Sequence, residues 1–467
     1  MSKFHKIFLG LFLIISFLIR INRLDFPLSA LFAWGDGTRD YLIASHIVKY
    51  GEFPFVGPYN LLYESGIKGS PVYFYILSLP LLIYNHPLTL GFVNIILQML
   101  VLVLIFLAVR SIFNIRVALI AVVLFGFNPE VIKMSDYIWQ PYLMLPVALL
   151  SFYFFIQRRL LLSTISISLA FALHSSAFPW LVIFLIWGFS RKTLLVFFLT
   201  LTLLYSPVIL SFSDISNLPA QTVEGYLKNL LNHLTAFSNT FNVGMIFLIG
   251  LLMITTLLIY RRKPSLGLIM ALFLSPILFA SFFNKIRLHY LILSIPSFVI
   301  LVAYLVDLIN LRMLRFMLAF ILTAIFSQNL IFLNQLKTPL GNQHLIDQVA
   351  DQVILELDQI KKDNGFAKLN FFQVKSYTSF DYPILDTILL TALEQKLNLR
   401  LSRISDDSPY NHVQINQDVY IILNCFKIPP TVEFDCPQAF VKSNQDFKLL
   451  KNIYLGEGLS VYLLKRG

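Results

Sequence analysis

Eleven apolar stretches fill the first 335 residues of the chain, near 7–22, 88–109, 115–130, 140–156, 160–175, 177–189, 193–211, 241–260, 266–283, 289–307 and 314–333. Each approaches the length needed to cross about 30 Å of hydrocarbon. Several are short or carry a proline (Pro146, Pro179, Pro207, Pro276, Pro296), so the number of crossings is set to within one or two. Of 467 residues, 57% are hydrophobic and 13% charged, and 44 are phenylalanine. No soluble core could cover that much apolar surface, so a bilayer must act as solvent. The first stretch has a basic start (Lys3, His5, Lys6) like a signal peptide, but lacks a small-x-small cleavage site, and it reads as a retained transmembrane helix.

The connecting segments alternate in charge. One set carries Lys3/Lys6, Arg110/Arg116, Arg158/Arg159, Arg191/Lys192, Arg261/Arg262/Lys263 and Arg312/Arg315 with hardly any acids, which makes it cytoplasmic by the positive-inside rule. The other set holds nine of the ten acids before residue 334: Asp25, Asp36, Asp40, Glu52, Glu64, Glu130, Asp136, Asp214 and Glu224. The alternation puts the N-terminus inside and the C-terminus outside. It also accounts for the net charge of +11, since the basic residues are scattered in pairs and form no nucleic-acid patch. Counted as a span, SPVYFYILSLPLLIY (70–84) would invert every later loop. It is expected as a helix in or near the outer interface, so that 23–87 forms one long outer loop containing WGDGTRDY.

After about residue 335 apolar runs shorten and charges mix. A helix-like segment (344–362) precedes the strand-like LNFFQVKSY, and a second (383–397) leads to LRLSRI, DVYIILNC and a closing IYLGEGLSVYLLK hairpin. The expected architecture is a polytopic α-helical membrane module (1–335) with interfacial helices in its first outer loop. An extracytoplasmic α/β domain (336–467) follows it. Cys425 and Cys436 both lie in that domain, where an oxidising compartment would let them pair; two free thiols is the equally plain reading.

Asp36 and Asp40 are four residues apart and share a helical face, with Arg39 beside it. Helix capping explains one acid. Two acids, an arginine and Trp34 at a membrane edge favour a functional role for Asp36, whereas Arg39–Asp40 serves equally as a local ion pair or as substrate contacts. The run D-x-x-R-D, then HIVKYGEFPFVGP, GSPVYFYILSLP and SDYIWQPYLMLP in order, resembles the C-type (GT-C) membrane glycosyltransferases of the protein O-mannosyltransferase and aminoarabinose transferase superfamily. Asp36 matches the first acid of that group, Ser70–Pro71 with Tyr73 and Tyr75 its proline–aromatic element, and Trp139–Gln140–Pro141 its tryptophan–asparagine–proline motif. The chain departs from it in having Gly37 after Asp36 and Gln140 for the asparagine, so the role of a second acid is not carried over.

The resemblance implies transfer of one sugar from a polyprenyl-phosphate carrier to a lipid, glycan or protein acceptor at the plasma membrane's outer face. Such chemistry needs a carboxylate to take the acceptor's proton, and Asp36 is the candidate. The anionic leaving group needs cations and no protonating acid. Lys285, Arg287 and His289 in NKIRLHY supply them against the positive-inside trend, with headgroup anchoring as the alternative. Asp136 is a candidate for sugar or acceptor hydroxyls, and Asp36 with Asp136 leaves a divalent cation open, although no clustered ligand set points to a metal. Tyr137 and Trp139 are suited equally to sugar stacking and to an interfacial belt. His174 in ALHSSAFP reads as a buried, hydrogen-bonded histidine. No nucleotide-binding or zincin motif is present, so no cofactor is predicted and the donor's activation must come with the carrier. Three rivals stand beside this reading: a lipid-linked sugar flippase or transporter, a lipid-linked glycan transferase or ligase on the same scaffold, and a membrane anchor for the tail.

Overall fold

The computed structural model describes residues 2–22, 24, 36–58, 69–136, 138–188, 190–209, 223–240, 245–260, 264–282, 288–309, 318–324, 350–351, 354–355, 359, 372–377, 402–403, 420–426, 447–454 and 459–466. The chain divides into two compact units. One comprises Met1–Leu24, Ile43–Asn85 and Thr89–Leu336; the other comprises Asp25–Leu42, His86–Leu88 and Lys337–Gly467.

Each of the first ten apolar stretches contains a helix. In chain order the helices are α1 (Lys3–Ile21), α2 (Asp36–Tyr50), α3 (Val72–Leu81), α4 (Pro87–Ile112), α5 (Ile115–Gly126), α6 (Pro129–Lys133), α7 (Gln140–Ile156), α8 (Leu160–Leu173), α9 (Phe178–Trp187), α10 (Arg191–Ile209), α11 (Val223–Thr240), α12 (Met245–Tyr260), α13 (Pro264–Ala280) and α14 (Ser294–Asp307). Of the eleventh stretch, residues 318–324 are described and helical. Among the described residues α1 and α4 are long and apolar enough to cross a bilayer, and eight further apolar helical stretches are shorter, 10–17 residues. The segment 70–84 forms α3, whose 10 residues reach about 15 Å, half a hydrocarbon core.

Burial in α1 recurs every fourth residue at Phe12, Ser16 and Arg20, while Phe4, Ile7, Leu11, Ile14 and Leu18 stay exposed. One narrow stripe therefore faces protein and the rest offers an apolar surface suited to lipid. The stripe meets α5 at Gly126, where an added Cβ would come within 2.5 Å of Phe12 Cζ.

One helix escapes the sequence reading. The apolar pattern places 212–240 in an outer loop, yet α11 occupies 223–240. It buries Asn229, His233, Phe237 and Ser238 and exposes Leu227 and Leu231, the reverse of a helix facing water. Tyr226 donates to the Leu278 carbonyl at 3.2 Å, and the Phe237 ring lies 5.3 Å from that of Phe273. The helix thus runs along the C-terminal half of α13. Its inward-facing polar residues break the apolar run that sequence windows detect.

Prolines inside spans set a specific problem. Pro146 in α7 and Pro276 in α13 have no N–H for the carbonyl four residues back, which belongs to Tyr142 and Leu272 respectively. Side chains from other helices fill both gaps. Gln98 Nε2 of α4 donates to the Tyr142 carbonyl at 3.1 Å, and Trp180 Nε1 of α9 donates to the Leu272 carbonyl at 2.8 Å. Both pairs are buried, where an unsatisfied carbonyl would be costly.

In the second unit five strands form one sheet: β1 (Phe372–Tyr377), β2 (Ser402–Arg403), β3 (Tyr420–Phe426), β4 (Phe447–Tyr454) and β5 (Leu459–Arg466), in the order β2-β1-β3-β5-β4. β1 lies parallel to β2 and β3, with Val374 opposite Ile422, and β5 is antiparallel to β3 and β4, with a bulge between Leu449 and Lys451. β1 and β2 fall within the segments expected to be extended and β3 and β5 overrun theirs by one residue, whereas β4 begins at Phe447, six residues before the expected hairpin at 453–465. Of the helical segments expected beside them, 383–397 lies outside the described residues, and 344–362 shows helical residues at 350–351, 354–355 and 359.

The proline pairing yields a test. Trp180→Phe should cost about 1–3 kcal/mol through the stranded Leu272 carbonyl. In a Pro276→Ala background, where a backbone N–H returns, the same change should cost close to nothing. Thermal unfolding of the four proteins in detergent measures the difference, and equal losses in both backgrounds would reduce Trp180 to packing alone.

Candidate functional site

The segment that carries Trp139 is built by capping and then pinned by one neighbouring helix. Asn128 accepts from the Glu130 and Val131 amides and so starts α6, with Pro129 at its first position. Lys133 pairs with Glu130 at 2.7 Å. On α4, Asn94 and Gln98 are one turn apart on one face. Asn94 Nδ2 donates to the Met134 carbonyl at 2.7 Å, and Gln98 holds Tyr142 beyond the loop as described above.

Arg20, fully buried in the last turn of α1, donates through Nη2 to the Gly126 carbonyl at 3.3 Å and through Nη1 to the Ser16 carbonyl at 3.1 Å. It interacts electrostatically with Asp136, itself buried. A charge taken out of water needs such compensation. Asp136 therefore sits in the interior within the field of a cation.

Three segments singled out by sequence meet around one aromatic cluster. Trp139, at the N-cap of α7, packs edge-on against Tyr142 at 5.4 Å and at a tilt against His289 at 4.4 Å between ring centroids. His289 belongs to a single 3₁₀ turn, Leu288–Leu291, and lies 4.1 Å from Tyr290. His174 ends α8 and stacks on Tyr290 at 5.4 Å, with an edge contact to His289 at 5.8 Å. As expected, His174 is buried and hydrogen-bonded: its Nδ1 lies 3.2 Å from the Ser176 amide nitrogen and 2.8 Å from the Ser176 hydroxyl. Trp139 and His289 are half-buried, whereas His174 and Tyr290 are buried.

Asp36 is the first residue of α2; its side chain lies outside the described residues, as do Trp34, Tyr137, Lys285, Arg287 and Cys436. Arg39 Nε and Nη2 donate to Asp40 Oδ1 at 2.9 and 2.7 Å, and Asp40 is fully buried. Of the two readings given to that pair, the structure contains the local ion pair. Tyr75 donates to the Pro54 carbonyl at 2.6 Å, and Ser70 Oγ to the Leu204 carbonyl at 2.6 Å. Cys425 sits in β3 opposite Tyr377 and Ser460. Among the described residues no group of three or more His, Cys, Asp or Glu is arranged to hold a metal ion.

Sequence reasoning passes over Arg20, Asn94, Gln98 and Tyr290. Two of these signals are visible there: an arginine inside an otherwise apolar span, and two amides spaced by four in another.

No protein-family model matches the sequence, and no curated protein matches it. Solved structures do. The chain is similar to ArnT from Cupriavidus metallidurans bound to undecaprenyl phosphate, at 12% identity over 97% of each chain with a TM-score of 0.62. It is similar to the apo state of the same protein at 10% identity, again over 97% of each chain, with a TM-score of 0.60. At such identities the likeness is one of fold: the chain has the multi-span membrane fold of the GT-C glycosyltransferases.

Arg20→Met removes the donor to Gly126 and the cation facing Asp136, and should destabilise by roughly 3 kcal/mol. Asp136→Asn should recover part of that loss in the Arg20→Met background and none in the wild type. Unfolding temperatures in detergent decide it; strictly additive losses would mean that the two residues are not coupled.

Proposed function

We propose that the chain is an integral membrane glycosyltransferase that moves one monosaccharide from a polyprenyl-phosphate carrier to an acceptor on the extracytoplasmic face. The observation that carries this reading is the fold, shared along 97% of both chains with a protein solved with undecaprenyl phosphate bound. Convergence of the WQP, LHSS and LHY segments on one cluster supports it, because an enzyme needs its recognition elements together. In the arrangement proposed, eleven helices cross the bilayer with the N-terminus inside, and the tail forms an α/β domain outside.

The chemistry is a displacement at the anomeric carbon. An acceptor hydroxyl oxygen attacks that carbon while Asp36 takes its proton as general base. The bond from the carbon to the phosphate oxygen breaks, the carrier phosphate leaves with the electron pair, and the anomeric configuration inverts. Lys285, Arg287 and His289 hold the departing phosphate, whose charge rises as the bond breaks. Arg287 offers a planar fork of donors suited to two phosphoryl oxygens. Arg39 orients the start of α2 through Asp40.

Membranes containing the wild type should transfer label from a radiolabelled polyprenyl-phosphate sugar, and Asp36→Asn should lower the rate about 10²-fold or more at equal expression. Equal transfer by the two proteins would remove Asp36 from the reaction. Arg287→Ala should raise the apparent KM for the carrier; an unchanged dependence on carrier would leave Arg287 as a headgroup anchor.

A further inference from the structure

His174 has a feature that burial alone does not explain. Its Nδ1 accepts from the Ser176 amide, an N–H that can only donate, so that nitrogen carries no proton. The neutral ring must then hold its proton on Nε2. Among the described residues Nε2–H has no hydrogen-bond partner, although the residue is only 4% exposed. Nε2 is not among the fully buried polar atoms that lack a partner, so this donor reaches the protein surface, where a ligand group that accepts from it can meet it. The ring cannot turn away, because Ser176 holds one edge and Tyr290 stacks on its face.

We infer that His174 is a sugar-recognition residue, whose Nε2–H donates to a hydroxyl of the carrier-linked monosaccharide while the sugar ring lies against the Trp139–His289 aromatic surface. This rests on the glycosyltransferase reading and adds to it which residue meets the sugar. Three observations favour a sugar over a phosphate. The donor is a neutral N–H with no cation on its own ring, which matches a hydroxyl acceptor better than an anion. Its neighbours are the His289 and Tyr290 rings of one 3₁₀ turn, with Trp139 packed on His289, and aromatic faces pack against the C–H face of a pyranose or furanose. The spacing also fits: with the phosphate held at His289, the sugar attached to it falls beside a ring 5.8 Å away.

The test uses full-length protein in lipid nanodiscs and compares binding of bare undecaprenyl phosphate with undecaprenyl phosphate carrying glucose, mannose or arabinose. The wild type should bind one of the sugar-bearing carriers more tightly than the bare carrier. His174→Phe keeps an aromatic ring but removes the donor. It should weaken that carrier about tenfold and leave bare undecaprenyl phosphate unchanged within about twofold, the size of effect one hydrogen bond supplies. His174→Gln, which restores an N–H, should recover part of the loss. Ser176→Ala frees the ring without removing it and should show the same selectivity, which keeps the test open if His174→Phe folds poorly. Equal weakening of bare and sugar-bearing carriers, or no weakening of either, overturns the assignment. So does a wild type that binds the bare carrier as tightly as every loaded one. A wild type that binds neither form defeats the glycosyltransferase reading itself, and the assignment with it.

Discussion

In hydrocarbon a backbone carbonyl that loses its helical partner finds no water to replace it. That constraint organises much of this membrane unit. Pro146 and Pro276 each open a gap in a helix, and each gap receives a side chain from a different helix, Gln98 for one and Trp180 for the other. A defect in one span thereby becomes a fixed contact between two. The same arrangement serves the candidate site: the amide that answers Pro146 belongs to α4, which also grips Met134, so the contacts that satisfy α7 hold both ends of the Trp139 segment.

Charge is handled in a similar way. Arg20 and Asp136 are interior groups that interact electrostatically, and Arg39 commits two donors to Asp40. The aromatic cluster of Trp139, His289, Tyr290 and His174 has a different character. It is built from four aromatic rings, with His174 held by Ser176, and Trp139 and His289 are half-buried.

What is legible in the sequence follows from the range of each interaction. The spans show because hydrophobic transfer is summed over many residues, and ten apolar stretches are helical where expected. The grouping of Trp139, His174 and His289 can be anticipated only as shared sidedness, since the distance between loops depends on how helices pack. α11 is missed because Asn229 and His233 face inward and Leu227 and Leu231 face outward, which averages to a polar segment. The pins are missed for another reason. That Gln98 answers Pro146 becomes visible only once α4 and α7 are neighbours; the sequence shows an interrupting proline and an unexplained amide as separate facts. Arg39–Asp40 is local enough to be read as a pair, while the long-range partner of Arg20 is not.

The two amides of α4 also restrict how that helix can move. Asn94 and Gln98 point the same way from adjacent turns, and both end on carbonyls flanking one loop. A slide along the helix axis would stretch both bonds together, and a roll about it would swing both amides off their acceptors at once, since residues four apart lie within about 40° of each other around the helix. α4 behaves like a key with two teeth in one lock: it either holds the Trp139 segment in a single orientation or releases it whole, with no intermediate setting.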